Sequence, residues 1–482
     1  MLFRRSLSLA GVFLATACLA TPEEPARSWW PQFRGPNAGG TSTTAKPPVK
    51  VGPGEGVIWK AEVPWSPSSP VIWDDRIFLT TFHEGQLETR AHERRTGRLL
   101  WARGVRPDQL EMFHQTDGSP AASTPATDGK HVVTYFGSFG LVCHDLDGKE
   151  LWRRPLPVAV SGGSYGSGTS PVITGNRVLL NRDQDLHSSL LAVDLETGKT
   201  VWEAPRPDVA GGFATPIYWN NDGVDEVVIA GSVRVKGYDL LSGMERWRVD
   251  GVSGLVCPTP VIGDGMLYLA SWSPGKADSS FPLDWPSFLK AFDKNGDGKV
   301  TVEDSNPVTW DFLRGIDKDR DGSITAVDLE LIRTGSAKAE NVLMAVRAGG
   351  HGDITGSHVA WKFARGLPYV PSPLYYDGRV YLVKDGGMMS SFDSKTGKAF
   401  YVQERLGAAG SYYASPVAAD GRIYLASLPG KLSVVKAGGE LPEILHQVDF
   451  GERIFATPAL VEDTLYVRTQ THLYALGRDP GR

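Results

Sequence analysis

Ser170 to Trp202 reads SPVITGNRVLLNRDQDLHSSLLAVDLETGKTVW. A small hydroxyl residue and a proline open the stretch, and an apolar run follows. Leu191-Ala192-Val193-Asp194 is a strand-like run that ends on Asp, Thr197-Gly198 makes a turn, and Trp202 opens the next extended segment. The same beginning recurs at Ser69-Pro70, Thr124-Pro125, Thr215-Pro216, Thr259-Pro260, Ser372-Pro373, Ser415-Pro416 and Thr457-Pro458. The intervals between successive prolines are 55, 46, 45, 44, 113, 43 and 42 residues. Six of the seven match one four-stranded propeller blade, and the seventh exceeds a normal repeat by about 68 residues, so a segment is inserted there.

The rest of each repeat obeys one grammar. Turns such as Asp128-Gly129, Asp264-Gly265, Asp377-Gly378 and Asp420-Gly421 follow the first strand, and Thr-Gly or Asp-Gly turns follow the third. Gly and Asp supply the positive φ that tight hairpins require. The fourth strand opens on an aromatic residue: Trp101, Trp152, Trp202, Trp247, Trp361, Tyr401 and, in the seventh repeat, Phe450. One such ring per blade, at one register, reads as filling between neighbouring sheets. Eight starts imply eight blades. The last start runs into the C-terminus without a fourth strand, and Val57-Ile58-Trp59-Lys60-Ala61 is available to supply it. The expected fold is therefore all-β: an eight-bladed propeller closed by its N-terminal strand, which leaves only short protected edges. A small α-helical EF-hand-like insert sits in blade five. The segments are 1–20, 21–56, an N-terminal extension, 57–274 and 341–482, the propeller, and 275–340, the insert.

Composition agrees. There are 482 residues with 55 Gly, 33 Pro and 41% apolar residues, which is globular and rich in turns. Net charge is −5 with no basic stripe, which argues against nucleic acid as a partner. Arg4 and Arg5, the apolar run Leu7–Ala17 and the small residues up to Ala20 read as a secretory signal, too short for a permanent span. The expected location is exported: periplasmic, outer-membrane-associated or secreted. Ala15-Thr16-Ala17-Cys18 resembles a lipobox with Ala where Leu is usual, so acylation of Cys18 and cleavage after Ala20 compete. Lipidation is the only membrane contact expected. Cys143 and Cys257 lie in apolar runs of different repeats and read as two buried free thiols.

The small-residue–Pro start, Asp-Gly turn, Ala-x-Asp, Thr-Gly-Lys and Trp together resemble the PQQ-binding-like, quinoprotein-type β-propeller family over about residues 57 to 477, apart from the insert. Trp30-Pro31-Gln32-Phe33-Arg34-Gly35-Pro36-Asn37 and Phe136-Gly137-Ser138-Phe139-Gly140-Leu141-Val142 are similar to a secreted bacterial subgroup of it. The resemblance implies the fold but no single function, because the repeat serves dehydrogenases and non-enzymatic scaffolds alike.

The insert carries the clearest chemistry. Residues 293–304 and 317–328 both match a twelve-residue calcium loop. Oxygen ligands fall at positions 1, 3 and 5: Asp293, Asn295 and Asp297, then Asp317, Asp319 and Asp321. Gly298 and Gly322 make the sharp turn, Lys299 and Ser323 offer backbone carbonyls, and Thr301 and Thr325 stand at position 9. Val300 and Ile324 are placed to pair the loops as a short ribbon. A hard cation needs this dense oxygen ring. Position 12 is Asp304 and Asp328 where a bidentate Glu is usual, as in the duplicated dockerin loops this pair resembles. Two Ca²⁺ ions are the expected cofactors.

A PQQ dehydrogenase needs an aromatic floor under the quinone, an axial Ca²⁺ held by carboxylate and amide oxygens, and an Asp base. The chain has no adjacent Cys pair and no Cys-x-x-Cys-His haem motif. The polar candidates for a funnel are His114, His187, His351, His358, Asp117 and Asp183. None forms a catalytic set by spacing, so no catalytic residue is assigned. Two readings stand: a non-catalytic, monomeric scaffold that binds an envelope protein or a glycan, and a divergent PQQ-dependent dehydrogenase of alcohols or sugars, for which PQQ is the less expected occupant.

Overall fold

A computed structural model describes residues 29–478 apart from 162–164, 185–186, 210, 274–283, 307–308, 311–312, 314–315, 318–320 and 331–338. The signal segment, Cys18 and Asp319 lie outside the described residues. Eight antiparallel sheets follow one another in chain order, at 71–105, 126–155, 172–205, 217–250, 261–363, 374–405, 417–449 and 459–477. The eighth has only three strands of its own, and Val57–Glu62 pairs with His472–Gly477 as its outer strand. The N-terminal strand thus closes the ring. In the fifth sheet, residues 272–341 separate the second strand, Met266–Ser271, from the third, Val342–Arg347. Asn341 clamps the two ends of this excursion, accepting from Ser273 N–H at 2.9 Å and donating to its carbonyl at 3.1 Å.

The repeated Trp has a definite seat. Its indole N–H donates to a main-chain carbonyl of the next blade: Trp59 to Arg94, Trp101 to Leu146, Trp152 to Leu195, Trp202 to Leu240 and Trp361 to Ser394, at 2.7–3.1 Å. The ring lies on the glycine of that blade's third turn. A Cβ on Gly198 would stand 2.6 Å from Trp152, and one on Gly97 2.5 Å from Trp59. The Thr-Gly turn therefore needs glycine twice over, for φ and for the neighbour's indole. Blade seven corrects the expectation for Phe450. Register places His446 opposite Val434, where the other blades carry the aromatic, and Phe450 follows the strand. His446 keeps the role in part, its Nε2 lying 3.0 Å from the Val51 carbonyl. Tyr401, in blade six, makes no such bond, and Trp247 is a further exception: Gly352–Asp353 adds a fifth, parallel strand beside it, and its indole donates to buried Glu226 instead.

The Ser/Thr-Pro starts form a second seam, around the axis. The backbone N–H of each start residue donates to the hydroxyl of the next blade's start residue. The chain runs from Ser69 to Thr124, Ser170, Thr215, Thr259, Ser372, Ser415 and Thr457, and back to Ser69, at 2.9–3.2 Å. All eight residues are buried. Only a hydroxyl residue can accept this bond from so short a side chain, which explains why each start is Ser or Thr.

Candidate functional site

The connections from each outer strand to the next inner strand all emerge on one face, and they build an axial funnel. The cavity has a volume of about 220 Å³. Its upper wall is aromatic: Tyr165, Phe213, Tyr369, Tyr413 and Phe455 come from five different connections. The eight start residues ring its base, and Phe33 lies at its floor.

Phe33 belongs to the N-terminal extension, which the sequence left without a role. Residues 30–46 cross the opposite face and satisfy the free edges of the inner strands. Trp30 bridges Ile72, Pro31 accepts from Thr127, Asn37 bonds both main-chain groups of Tyr218, Ser42 donates to Ala418, and Lys46 donates to Glu462. The segment is a plug, and the funnel is blind at that end. Arg34, fully buried, donates from Nη2 to the Pro373 carbonyl at 2.7 Å, while its Nε and Nη1 have no partner. Burial alone pulls its pKa down to about 9.

Of the six polar candidates, only Asp117 reaches the funnel wall. Its carboxylate accepts from Arg453 at 2.6 Å and from the Tyr413 hydroxyl at 3.4 Å, and the Arg453 guanidinium stands 4.6 Å above the Phe455 ring. His114 stacks beside Tyr165. Asp183 is a fully buried partner of Arg206, at 2.6 and 3.0 Å, with Tyr238 beside it. His351 and His358 flank the added strand on blade four. Cys257 corrects the expectation of a thiol in a strand: it lies in a connection and lines the funnel, where burial pushes its pKa up to about 12. It is a thiol rather than a thiolate at neutral pH, and so a poor nucleophile. Cys143 is buried in its strand as expected.

A quinone with its axial cation does not fit this donor set. Among the described residues Asp117 is the one carboxylate of the lining and is already paired with Arg453, and no amide side chain lines the cavity.

Sequence reasoning also missed Glu111, in the connection that carries Asp117. It is buried, accepts from Ser167 Oγ at 2.7 Å, and has its pKa pushed up to about 7 by desolvation. No charge run or motif marks it.

The insert has its own small core of Phe288, Val300, Leu313, Ile316, Ile324 and Leu329. Asp284 caps the entering helix, Trp285–Phe292. Val300 pairs with Ile324 and Thr301 with Ser323, joining the two loops. In the first loop Asp293 accepts from the amides of Gly296 and Gly298, Asn295 from Asp297, and Asp297 from Lys299. Asp304 spans the loop, accepting from Lys294 and Asn295 through one oxygen and from Thr301 through the other. The second loop repeats this with Gly322 to Asp317, Ser323 to Asp321 and Thr325 to Asp328. Asp304, Asp317 and Asp328 are buried. Among the described residues no three His, Cys, Asp or Glu side chains cluster closely enough to count as a metal site.

The fold and funnel define an eight-bladed propeller of the PQQ-repeat class. The sequence matches the family of outer membrane protein assembly factor BamB over residues 83–271 and 319–482, and the chain belongs to that family. The break in the match, residues 272–318, covers the first part of the insert, and the match resumes within its second loop. BamB from Moraxella catarrhalis is similar in structure, with a TM-score of 0.56 and 13% identity over 87% of this chain and 99% of that one. A quinohemoprotein alcohol dehydrogenase from Pseudomonas putida HK5 has a TM-score of 0.54 and 12% identity over 94% of this chain and 80% of its own. The corresponding enzyme from Comamonas testosteroni has a TM-score of 0.53 and 12% identity, over 94% of this chain and 81% of its own. No curated protein matches significantly.

Proposed function

We propose that the protein is an exported, calcium-binding propeller that acts as a non-catalytic scaffold of the cell envelope, binding a protein or glycan through its funnel face. The observation that carries the reading is the state of Asp117. The one carboxylate among the described residues of the aromatic funnel is tied to Arg453 and Tyr413, and those residues offer neither a free base nor an oxygen cage for an axial cation. Membership in a family named for an outer membrane assembly factor, and the exported reading of residues 1–20, support the envelope location. The test is calorimetric titration of PQQ into the mature protein with Ca²⁺ saturating. No heat is expected; tight binding followed by oxidation of alcohols or sugars would replace this reading with the dehydrogenase one.

The calcium part rests on the tandem oxygen pattern and on the Val300–Ile324 pairing, which sets the loops back to back as paired calcium loops require. Asp293, Asn295, Asp297 and Asp304 would hold one ion, with the Lys299 carbonyl. Asp317, Asp319, Asp321 and Asp328 would hold the other, with the Ser323 carbonyl. Trp285 and Trp310 pack on the insert core and report on it. Ca²⁺ is expected to change their fluorescence, and the double variant Asp293→Ala, Asp317→Ala to abolish that change. A response that survives the double variant would place the ion elsewhere.

A further inference from the structure

The eight hydroxyls at the base of the funnel each accept one backbone N–H bond, and none of them donates to an acceptor among the described residues. A hydroxyl carries one donor proton besides its acceptor lone pairs. Eight donor protons are therefore left over on one ring, and all eight residues line the cavity. Leaving even one buried donor unmade costs about 1–3 kcal/mol. Directly beneath lies Arg34, bonded to the carbonyl of Pro373, the residue after Ser372 in the ring. Among the described residues its charge has no acidic neighbour, and two of its nitrogens are unpartnered. The base of the funnel is thus rich in donors, with the buried Arg34 behind its lining, while its wall is aromatic. Asp117, the only acidic group in the lining among the described residues, is neutralised by Arg453.

We propose that the funnel binds an organic carboxylate, its head seated in the hydroxyl ring and its apolar or aromatic body between Tyr165, Phe213, Tyr369 and Tyr413. The cavity, about 220 Å³, lies below the usual range of roughly 300–1,000 Å³ for small-molecule pockets. The ligand is therefore a compact free acid or the end of a longer chain, such as a polypeptide C-terminus. The plug closes the opposite mouth, so the acid enters carboxylate first. The inference rests on the funnel being a binding site, as proposed above, and does not depend on the calcium loops.

The experiment uses the mature chain with Ca²⁺ saturating. It titrates 2-naphthoate and its neutral isostere 2-naphthamide, then acetyl-Gly-Gly-Phe as free acid and as amide. Each acid that binds is expected to bind at least about tenfold more tightly than its amide, since hydrogen bonds to a charged group are the stronger ones. Binding of the free acid alone identifies a small metabolite as the source, and binding of the peptide acid alone identifies a chain end. The pair Ser372→Ala, Ser415→Ala is expected to erase the acid preference, and Tyr369→Ala to weaken acid and amide alike. Equal affinity of acid and amide, or no binding of either acid at millimolar concentration, overturns the inference. The wild-type comparison decides this even if the ring variant fails to fold. The scaffold reading fails by a different outcome, oxidation of an alcohol or sugar by the PQQ-loaded protein.

Discussion

Gly97→Ala is expected to destabilise the protein by about 3 kcal/mol or more, because it strikes the seam where the ring closes. Gly97 has φ +75°, which costs a residue with a Cβ about 1 kcal/mol. The added carbon would stand 2.5 Å from the Trp59 ring, so the indole must leave its seat. With it goes the 2.8 Å bond from Trp59 to the Arg94 carbonyl. Trp59 lies on the N-terminal strand, which joins the last blade to the first. Gly265→Ala is the control. Its φ is +73° and nothing stands within 4 Å of the new carbon, so it is expected to lose only the backbone share, about 1 kcal/mol. Denaturant unfolding of the two variants measures the difference. Equal losses would mean that the Trp–Gly contact does not hold the ring shut.

Glu111 is expected to make stability fall as pH rises from about 4.5 to about 7. Its folded pKa is about 7, above the ordinary 4.5, because burial disfavours the charged carboxylate. Across that window the folded state holds a proton that the unfolded state has lost, so each step up in pH favours unfolding. The loss approaches about 3 kcal/mol above pH 7. His144 acts with the opposite sign, since burial pulls its pKa down to about 4 and its neutral form is the folded one. The readout is therefore the difference between the wild type and Glu111→Gln, which keeps the volume and the bond to Ser167. The variant is expected to match the wild type near pH 4.5 and to exceed it by several degrees in Tm at pH 8. Parallel profiles would show that Glu111 is already ionised in the fold.

The blade count, the closure by residues 57–61 and the position of the insert were legible in the sequence because each is a local pattern. An Asp-Gly turn, an alternating strand and a proline interval of about 45 residues need no knowledge of what packs against them. The calcium reading proposed for the loops of Asp293 and Asp317 rests on the same kind of local pattern, since twelve consecutive residues carry all the oxygens. Phe450 was misplaced because blade seven has no aromatic at that register: the bulge found in the other blades recurs between Val434 and Val435, and His446 stands opposite Val434.

The funnel was not legible. Phe213, Tyr413 and Phe455 each stand two residues before a start, but Tyr165 and Tyr369 do not, and only ring closure makes the five rings neighbours. The role of Arg34 likewise depends on blades six and seven lying beside it. His351, His358 and Asp183 looked as eligible as Asp117 until topology sent them elsewhere. The sequence by itself determined the repeat, and with it eight sheets and their inner hydroxyls, because hydrogen bonding within a blade is set by residues close in the chain. Only the tertiary structure decided that those hydroxyls form one ring around an axis, that the N-terminal extension blocks one mouth, and that the remaining cavity is aromatic above and lined by hydroxyls below. Those features arise between blades, where contacts join residues hundreds of positions apart.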